Sequence, residues 1–383
     1  MERIQESLGN IHKCDLKENK KGITLVALVI TIVILLILAG ISISALTNTG
    51  LFGKAKEAKS ASENAEKEQN KILDEYETAL DQYDEKTLVY KVNNGTIKVG
   101  DYIRYTPDTV TKDDKNYKTL ISNLETYSGS DNNTESTLNQ DELNWRVLDV
   151  KDGNVRLISA EPTTSKITLN GYNGYNNAVK LLDDTCSTLY NNLKFSNNVQ
   201  NLKIEDIQGK IIEKDFSNFN EGYGEKYEPK DINYPKIMEQ EEKYNVEKSI
   251  NSKDILSVSK QNEFITGSAL SSNNSLERTF WAHSFKNSNE FINKIFYEMI
   301  IGDETNAYWI SSRCVDPYVN EAYYLIRYVN GSYVHAYGLY NSNKKETPGN
   351  FAFRPVITLN SNVQLDTTKT GDGSSAEHAY EIK

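Results

Sequence analysis

Cysteine, histidine and proline are scarce: the chain has three, four and seven of them in 383 residues. So few cysteines exclude a disulfide-stapled scaffold, which needs several bridges to make up for a small core. Cys14 stands in the first 22 residues, leaving Cys186 and Cys314. In an oxidising compartment these two can pair; otherwise they are buried thiols, because spacing alone does not show proximity. Beyond the first 22 residues the histidines are His283, His335 and His378, far apart and without ligand spacing, so no metal site is legible and no cofactor is expected. Positive charge is also in deficit: 43 Lys and Arg face 54 Asp and Glu, a net −11. That balance excludes nucleic acid as a partner, which would need a basic footprint. What is abundant is tyrosine, 24 residues, with much Asn and Ser. Apolar and β-branched segments nevertheless recur, so the chain is not disordered throughout.

One long apolar run is present. Ile23 to Ile43 is 21 residues without a charge, preceded by Lys20-Lys21-Gly22, and no charge follows until Lys54. At about 1.5 Å per residue such a helix reaches about 31 Å, enough for a bilayer, and it is longer than a secretory signal core. Lys13, Lys17, Lys20 and Lys21 favour a cytoplasmic N-terminus, although Lys54, Lys56 and Lys59 follow the run closely. The polar leader, the Lys-Lys-Gly border, Thr24 and the unbroken apolar run together resemble the type IV prepilin and pseudopilin N-terminus, over residues 13 to 83. The resemblance implies a prepilin peptidase cutting between Gly22 and Ile23, methylation of the new N-terminus, and other pilins as partners. The chain departs from that family at Ala27, where most members carry Glu; the departure bears on filament packing more than on processing. A plain single-pass anchor is the other reading of the same residues.

After the run, Leu51, Ala55, Ala58, Ala65, Ile72, Tyr76, Leu80 and Tyr83 recur at helical steps in a stretch rich in Leu, Ala, Glu and Lys. This predicts an amphipathic helical spine over 44–85, with Gly50 and Gly53 as points of interruption and a coiled-coil stalk as the rival. Residues 86–383 read as a mixed α and β head. "LNWRVLDVKDGNVRLISA" from Leu143 is a hairpin turning at Lys151-Asp152-Gly153-Asn154. "NNAVKLLDDTCSTLYNNL" from Asn176 is a helix with Val179, Leu182, Cys186, Leu189 and Leu193 on one face. Residues 194–260, rich in Lys, Glu and Asn, read as a peripheral insertion, and 361–383 as a tail. Between them lie strands at "AYWISS", "EAYYLIRYV", "YVHAYGLY" and "FAFRPVITL", with Pro355 expected to hold the last to an edge or a bulge. The set "WRVLDV", "LIS", "YWISSR" and "FRPVITL" is similar to a bacterial extracellular domain found behind pilin-like leaders in Gram-positive anaerobes. Its order of elements resembles the C-type-lectin and formylglycine-generating-enzyme superfold over residues 143 to 360, with 194–306 matching poorly.

No catalytic constellation survives inspection. Ser130-Asp131-Asn132, Ser257-Val258-Ser259-Lys260 and Lys369-Thr370-Gly371 are the three strings of a penicillin-recognising serine enzyme, but they occur in the wrong order. The best recognition candidates are tyrosines on two neighbouring strands: Tyr324, Tyr328, Tyr333 and Tyr337. Exposed tyrosine gives contact area at low side-chain entropy cost; alternatively the same residues fill a half-buried sheet.

The expectation is therefore an α+β protein with a long N-terminal membrane-spanning helix and a head that binds rather than catalyses. It would sit in the cell membrane with its N-terminus in the cytoplasm, in contact with the lipid bilayer, and its head would meet a surface ligand outside the cell or in a pilus. An inert pilin or pseudopilin subunit is the alternative, and an ectoenzyme the third class. Mature protein is expected to begin at an N-methylated Ile23. Intact-protein mass spectrometry from a host with a prepilin peptidase checks this; residues 1–22 still attached would leave only the plain anchor.

Overall fold

The computed structural model describes residues 28–37, 51–212, 222–230, 232–238, 264–272, 275–301 and 306–383. The expected cut between Gly22 and Ile23, and Ala27, lie outside the described residues. The chain divides into two compact units, Met1–Tyr83 and Asp84–Lys383.

In the first unit, residues 28–37 form helix α1 and Leu51–Lys86 forms α2. The expected membrane-spanning helix over 23–43 is overturned: among the described residues no helix is long and apolar enough to cross a membrane. The described part of α1 is ten residues, about 15 Å against the roughly 30 Å of a hydrocarbon core. The spine is a single helix of 36 residues, and Gly53 falls inside it without ending it. Good helix formers dominate it, which outweighs one internal glycine at about 1 kcal/mol. Its stripe is thinly covered between residues 57 and 73: Ala58, Ala65 and Leu73 are half-buried, and Ile72 is 56% exposed.

The second unit begins with α3 (Leu88–Asn93), whose N-cap Thr87 accepts a hydrogen bond from the Tyr90 N–H through Oγ1. Then follow β1 (Tyr102–Arg104), α4 (Lys115–Tyr127), β2 (Trp145–Lys151), β3 (Asn154–Ser159), β4 (Ile167–Leu169), α5 (Gly171–Tyr190), β5 (Ser196–Asn201) and α6 (Ile204–Gln208). The middle supplies the short strands β6 (Lys226–Tyr227), β7 (Ile232–Tyr234), β8 (Leu270–Ser272), β9 (Leu276–Glu277) and β10 (His283–Ser284), then helix α7 (Lys294–Ile300). The last third is β11 (Tyr308–Pro317), β12 (Ala322–Asn330), β13 (Tyr333–Asn341), β14 (Gly349–Phe351), β15 (Pro355–Leu359) and β16 (Tyr380–Glu381).

Two sheets organise these strands. One has the order β16-β1-β2-β3-β15-β5, the other β10-β13-β12-β11, and two-stranded ribbons pair β14 with β4, β6 with β9 and β7 with β8. All pairs are antiparallel except β1 with β16. The expected hairpin is β2–β3. Asp152 and Gly153 both take positive φ, 50° and 73°, the turn that matches the twist of its flanking strands. Helix α5 starts at Gly171, five residues before the predicted polar start, and packs against strands of both sheets. Asn176 and Asn177, read from sequence as its polar entrance, are instead buried inside it.

Three boundaries differ from the sequence reading. β15 is not an edge but an interior strand between β3 and β5, with Pro355 as its first residue, a position where a missing N–H is tolerated; its pairing with β5 carries a register shift, at Thr358–Leu359 rather than at the proline. The stretch read as a peripheral insertion opens with β5, a member of the large sheet, and then buries Leu202, Ile204 and Ile207. The tail returns to the other edge of that sheet as β16, with Tyr380 opposite Ile103 and Glu381 opposite Arg104.

Buried guanidinium groups tie these layers together. Arg354 donates from Nε and Nη2 to the Ser159 carbonyl at 3.1 Å each, from Nη2 to the Ala160 carbonyl at 2.6 Å, and from Nη1 to the Tyr308 hydroxyl at 3.4 Å. Arg313 donates to the Asn176 carbonyl at 2.9 Å and lies over the Tyr175 ring. Arg327 donates to the carbonyls of Thr279 at 2.5 Å and Trp281 at 3.1 Å and lies over the Trp281 ring. Arg156 instead meets carboxylates, bidentate to Asp149 at 2.7 Å and to Asp206 at 2.7 Å. Arg354→Met removes the donors but keeps most of the volume. The stranded carbonyls of Ser159 and Ala160 should then lower stability by about 2–4 kcal/mol in urea unfolding, and Arg354→Lys should not restore it because lysine lacks the planar fork. An unchanged unfolding midpoint in Arg354→Met would contradict this role.

Candidate recognition surface

In antiparallel strands, directly opposed residues and residues two apart share a face. Tyr328 stands opposite His335 and also opposite Trp309 on the other neighbour, while Asn330 opposes Tyr333 and Ile326 opposes Tyr337. The pairing therefore collects Trp309, Tyr328, Tyr333, His335 and Tyr337 on one face, and Phe351 of β14 joins them. Ring centroids run Tyr333–His335 at 4.9 Å, His335–Tyr328 at 5.8 Å, Tyr328–Phe351 at 4.9 Å and Phe351–Tyr337 at 5.5 Å. Tyr328 and Phe351 are stacked at 8°; Trp309 meets Phe351 edge-on at 4.5 Å and anchors the row from below by donating from Nε1 to the Ile167 carbonyl at 2.8 Å. Trp309 is buried, whereas Tyr328, Tyr333, His335, Tyr337 and Phe351 are half-buried.

The row is electrically quiet. From Tyr328 to Asn343 there is no Asp, Glu, Lys or Arg, although a quarter of the chain is charged. His335 is held below its ordinary pKa of 6.5, chiefly by burial and further by the Arg327 charge, against the pull of the Ala336 carbonyl and of Asp316. It is therefore mostly neutral at pH 7, and Nδ1, 2.7 Å from the Ala336 carbonyl, carries the proton. Burial likewise raises the Tyr328 hydroxyl above its usual range, as do the neighbouring hydroxyls of Tyr333 and Tyr337. Tyr337 donates to the Pro348 carbonyl at 3.0 Å, which fixes its ring. Among the described residues the hydroxyls of Tyr328 and Tyr333 have no hydrogen-bond partner within the protein, which leaves them to solvent or a ligand.

Of the four tyrosines chosen from sequence, three thus share this surface. Tyr324 does not: it is fully buried, stacked on Tyr340 at 5.9 Å, edge-on to Tyr175 of α5 at 5.5 Å, with its hydroxyl donating to the Asn233 carbonyl at 3.1 Å. Helix α5 covers that end of the sheet, so strand alternation alone could not separate Tyr324 from Tyr328. The sequence reading also missed His335, Phe351 and Trp309. The signal was the two-residue spacing of Tyr333, His335 and Tyr337, which places a histidine read in isolation between two tyrosines.

Cys186 and Cys314 are free, buried thiols rather than a disulfide. Burial pushes the Cys186 thiol well above its usual range, with the Asp183 charge adding to it, and raises Cys314 to about 11, which makes both poor nucleophiles at neutral pH. Cys186 Sγ lies 3.9 Å from Asn201 Oδ1, inside the core that joins α5 to β5. The string Ser257 to Lys260 lies outside the described residues. Among the described residues no group of three or more His, Cys, Asp or Glu side chains could hold a metal ion. A hollow of about 430 Å³ beside β1 is lined by Tyr102, Arg104, Tyr105, Gln140, Asp141 and Trp145. Its main polar groups are already engaged: Arg104 with Glu381 at 2.8 Å, Gln140 with the Asp108 carbonyl at 2.8 Å, and Asp141 with Thr164 at 2.7 Å. It offers no convergent set for catalysis.

No family model, curated protein or solved structure matches the chain. The reading of this surface accordingly rests on its own geometry.

The row depends on a glycine. A Cβ at Gly349 would stand 2.7 Å from the Trp309 ring and 2.9 Å from the Tyr337 ring. Gly349→Ala is expected to displace both rings at about 1–3 kcal/mol, seen as a lower Tm together with a changed near-UV circular dichroism spectrum. Wild-type values for both would show that the rings are not held this way.

Proposed function

We propose that the chain is a pilin-like surface protein whose Asp84–Lys383 unit is a non-catalytic recognition module, binding through the row of Tyr333, His335, Tyr328, Phe351 and Tyr337. One observation carries the reading: five half-exposed, uncharged aromatic side chains are held on a rigid sheet, with two hydroxyls unengaged. Tyrosine gives much contact area for few rotatable bonds, and aromatic anchors supply a large share of binding energy where they occur. The leader supports the pilin-like part, through the Lys20-Lys21-Gly22 border and Thr24. It would bring in a prepilin peptidase and possible pilin neighbours as partners.

Cells displaying the full chain should adhere to glycoprotein-coated surfaces such as mucin and lose that adherence when Tyr328 and Tyr333 are both changed to Ser. The expected drop is about tenfold or more, the effect of truncating a binding anchor. Equal adherence at equal surface display removes this reading.

A further inference from the structure

The recognition row stands out from its surroundings by what it omits. At the chain's average of 25% charged residues, sixteen consecutive positions would carry about four charges, and Tyr328 to Asn343 carries none. Among the described residues, several charged groups of the neighbouring segments are committed elsewhere, including the two that act on His335, Arg327 and Asp316. Asp316 is paired with Arg278 at 2.8 Å, Glu290 with His283 at 2.7 Å, and Arg327 is buried on the carbonyls of Thr279 and Trp281. Lys344, Lys345 and Glu346 come only after β13 has ended. An anionic ligand would find no cation in the row, and a cationic ligand no carboxylate.

What the row does offer is apolar ring surface beside neutral hydrogen-bonding groups. The Tyr328 and Tyr333 hydroxyls can each donate and accept, and Asn330, opposite Tyr333, flanks them at the turn. The area is narrow. Each of the five rings keeps at most about a third of its surface in water. With about 150–250 Å² per aromatic side chain the row exposes at most roughly 350 Å², well short of the ~800 Å² per partner of a standard protein interface.

We infer that this row takes an uncharged, polyhydroxylated chain, a neutral oligosaccharide, whose C–H faces lie on the rings and whose hydroxyls meet Tyr328, Tyr333 and Asn330. The inference rests on the recognition reading above and gives it a ligand class. Binding without charge on either side should be insensitive to salt, unlike the attraction of exposed charges.

The test uses the full chain against neutral gluco-, manno-, galacto- and chito-oligosaccharides, with sialylated and sulfated glycans alongside. The expected result is binding to at least one neutral series, with a Kd that changes less than about twofold between roughly 0.05 and 0.5 M salt. Tyr328→Phe and Tyr333→Phe keep the rings and should fold normally, which Tm checks. Each should weaken binding by about fivefold to tenfold through loss of one hydroxyl hydrogen bond, and the Ser double variant should abolish it. Binding confined to charged glycans, or neutral-glycan binding that survives the Ser double variant, overturns the assignment. If adherence falls in the Ser double variant while no neutral series binds, the ligand class is wrong and the recognition reading stands. If adherence is unchanged, both fall.

Discussion

Three parts of the larger unit's architecture meet at one side chain, Arg354. Its guanidinium collects the carbonyls of Ser159 and Ala160 at the end of β3 and the hydroxyl of Tyr308 at the start of β11. Its own backbone N–H donates to Asn201 Oδ1 at 2.8 Å, and its carbonyl accepts from the Leu202 N–H at 3.0 Å. One residue therefore joins the end of β3, the exit of β5 and the entrance of the second sheet. Burying a cation is normally expensive. Here it is matched by carbonyls that had no strand partner of their own, so one group removes several desolvation penalties. The Tyr308 ring, 5.3 Å from the guanidinium carbon, adds a face that favours the charge.

The same device recurs elsewhere in the unit. Arg327 takes the Thr279 and Trp281 carbonyls between β9 and β10, Arg313 reaches the Asn176 carbonyl inside α5, and buried asparagines hold backbone groups of other segments with neutral amides. Asn177 accepts from the Ile265 N–H at 2.8 Å and donates to the Ile265 carbonyl at 3.2 Å, imitating a strand neighbour, and Asn133 does so with Thr168 at 2.8 Å in each direction. Asn176 accepts from the Ile237 N–H at 3.1 Å. A chain with many short strands leaves many strand ends, each with backbone groups that must be satisfied. Long planar side chains reach those ends where water is excluded. This accounts for a core containing four arginines, Arg156, Arg313, Arg327 and Arg354, and several amides in a protein of moderate apolar content.

The local pattern was legible where period and turn chemistry agree. Hairpin β2–β3, most of α5, and strands β11 to β13 follow from alternation or helical spacing with Gly or Asn at the turns. The failures are of another kind. Asn176 and Asn177 look like a helix entrance because amides cap helices; only tertiary partners show that they are interior. Pro355 looks like an edge marker, yet a strand's first residue tolerates it equally. The stretch after residue 194 looks peripheral by composition, but Val199, Leu202, Ile204 and Ile207 suffice to seat it. The candidate site was half legible for the same reason. Alternation assigned the tyrosines to faces, while the reach of α5 over the sheet, which buries Tyr324 and spares Tyr328, is not a property of either strand.

That division of one sheet face also explains why the row suits recognition. At one end α5 converts tyrosines into core: Tyr324 and Tyr340 stack beneath it with their hydroxyls raised by burial. Beyond the helix the same face continues uncovered, still braced by Trp309 beneath Phe351 and by the Tyr337 bond to the Pro348 carbonyl. The exposed rings thus inherit the order of the buried ones. Their rotamer freedom is lost on folding, where the core offsets it, and does not have to be lost again on binding. A narrow surface with few contacts needs that advantage more than a broad one does. The absence of charge fits the same logic, since strongly hydrated groups placed among these rings would raise the desolvation cost of closing a ligand over them.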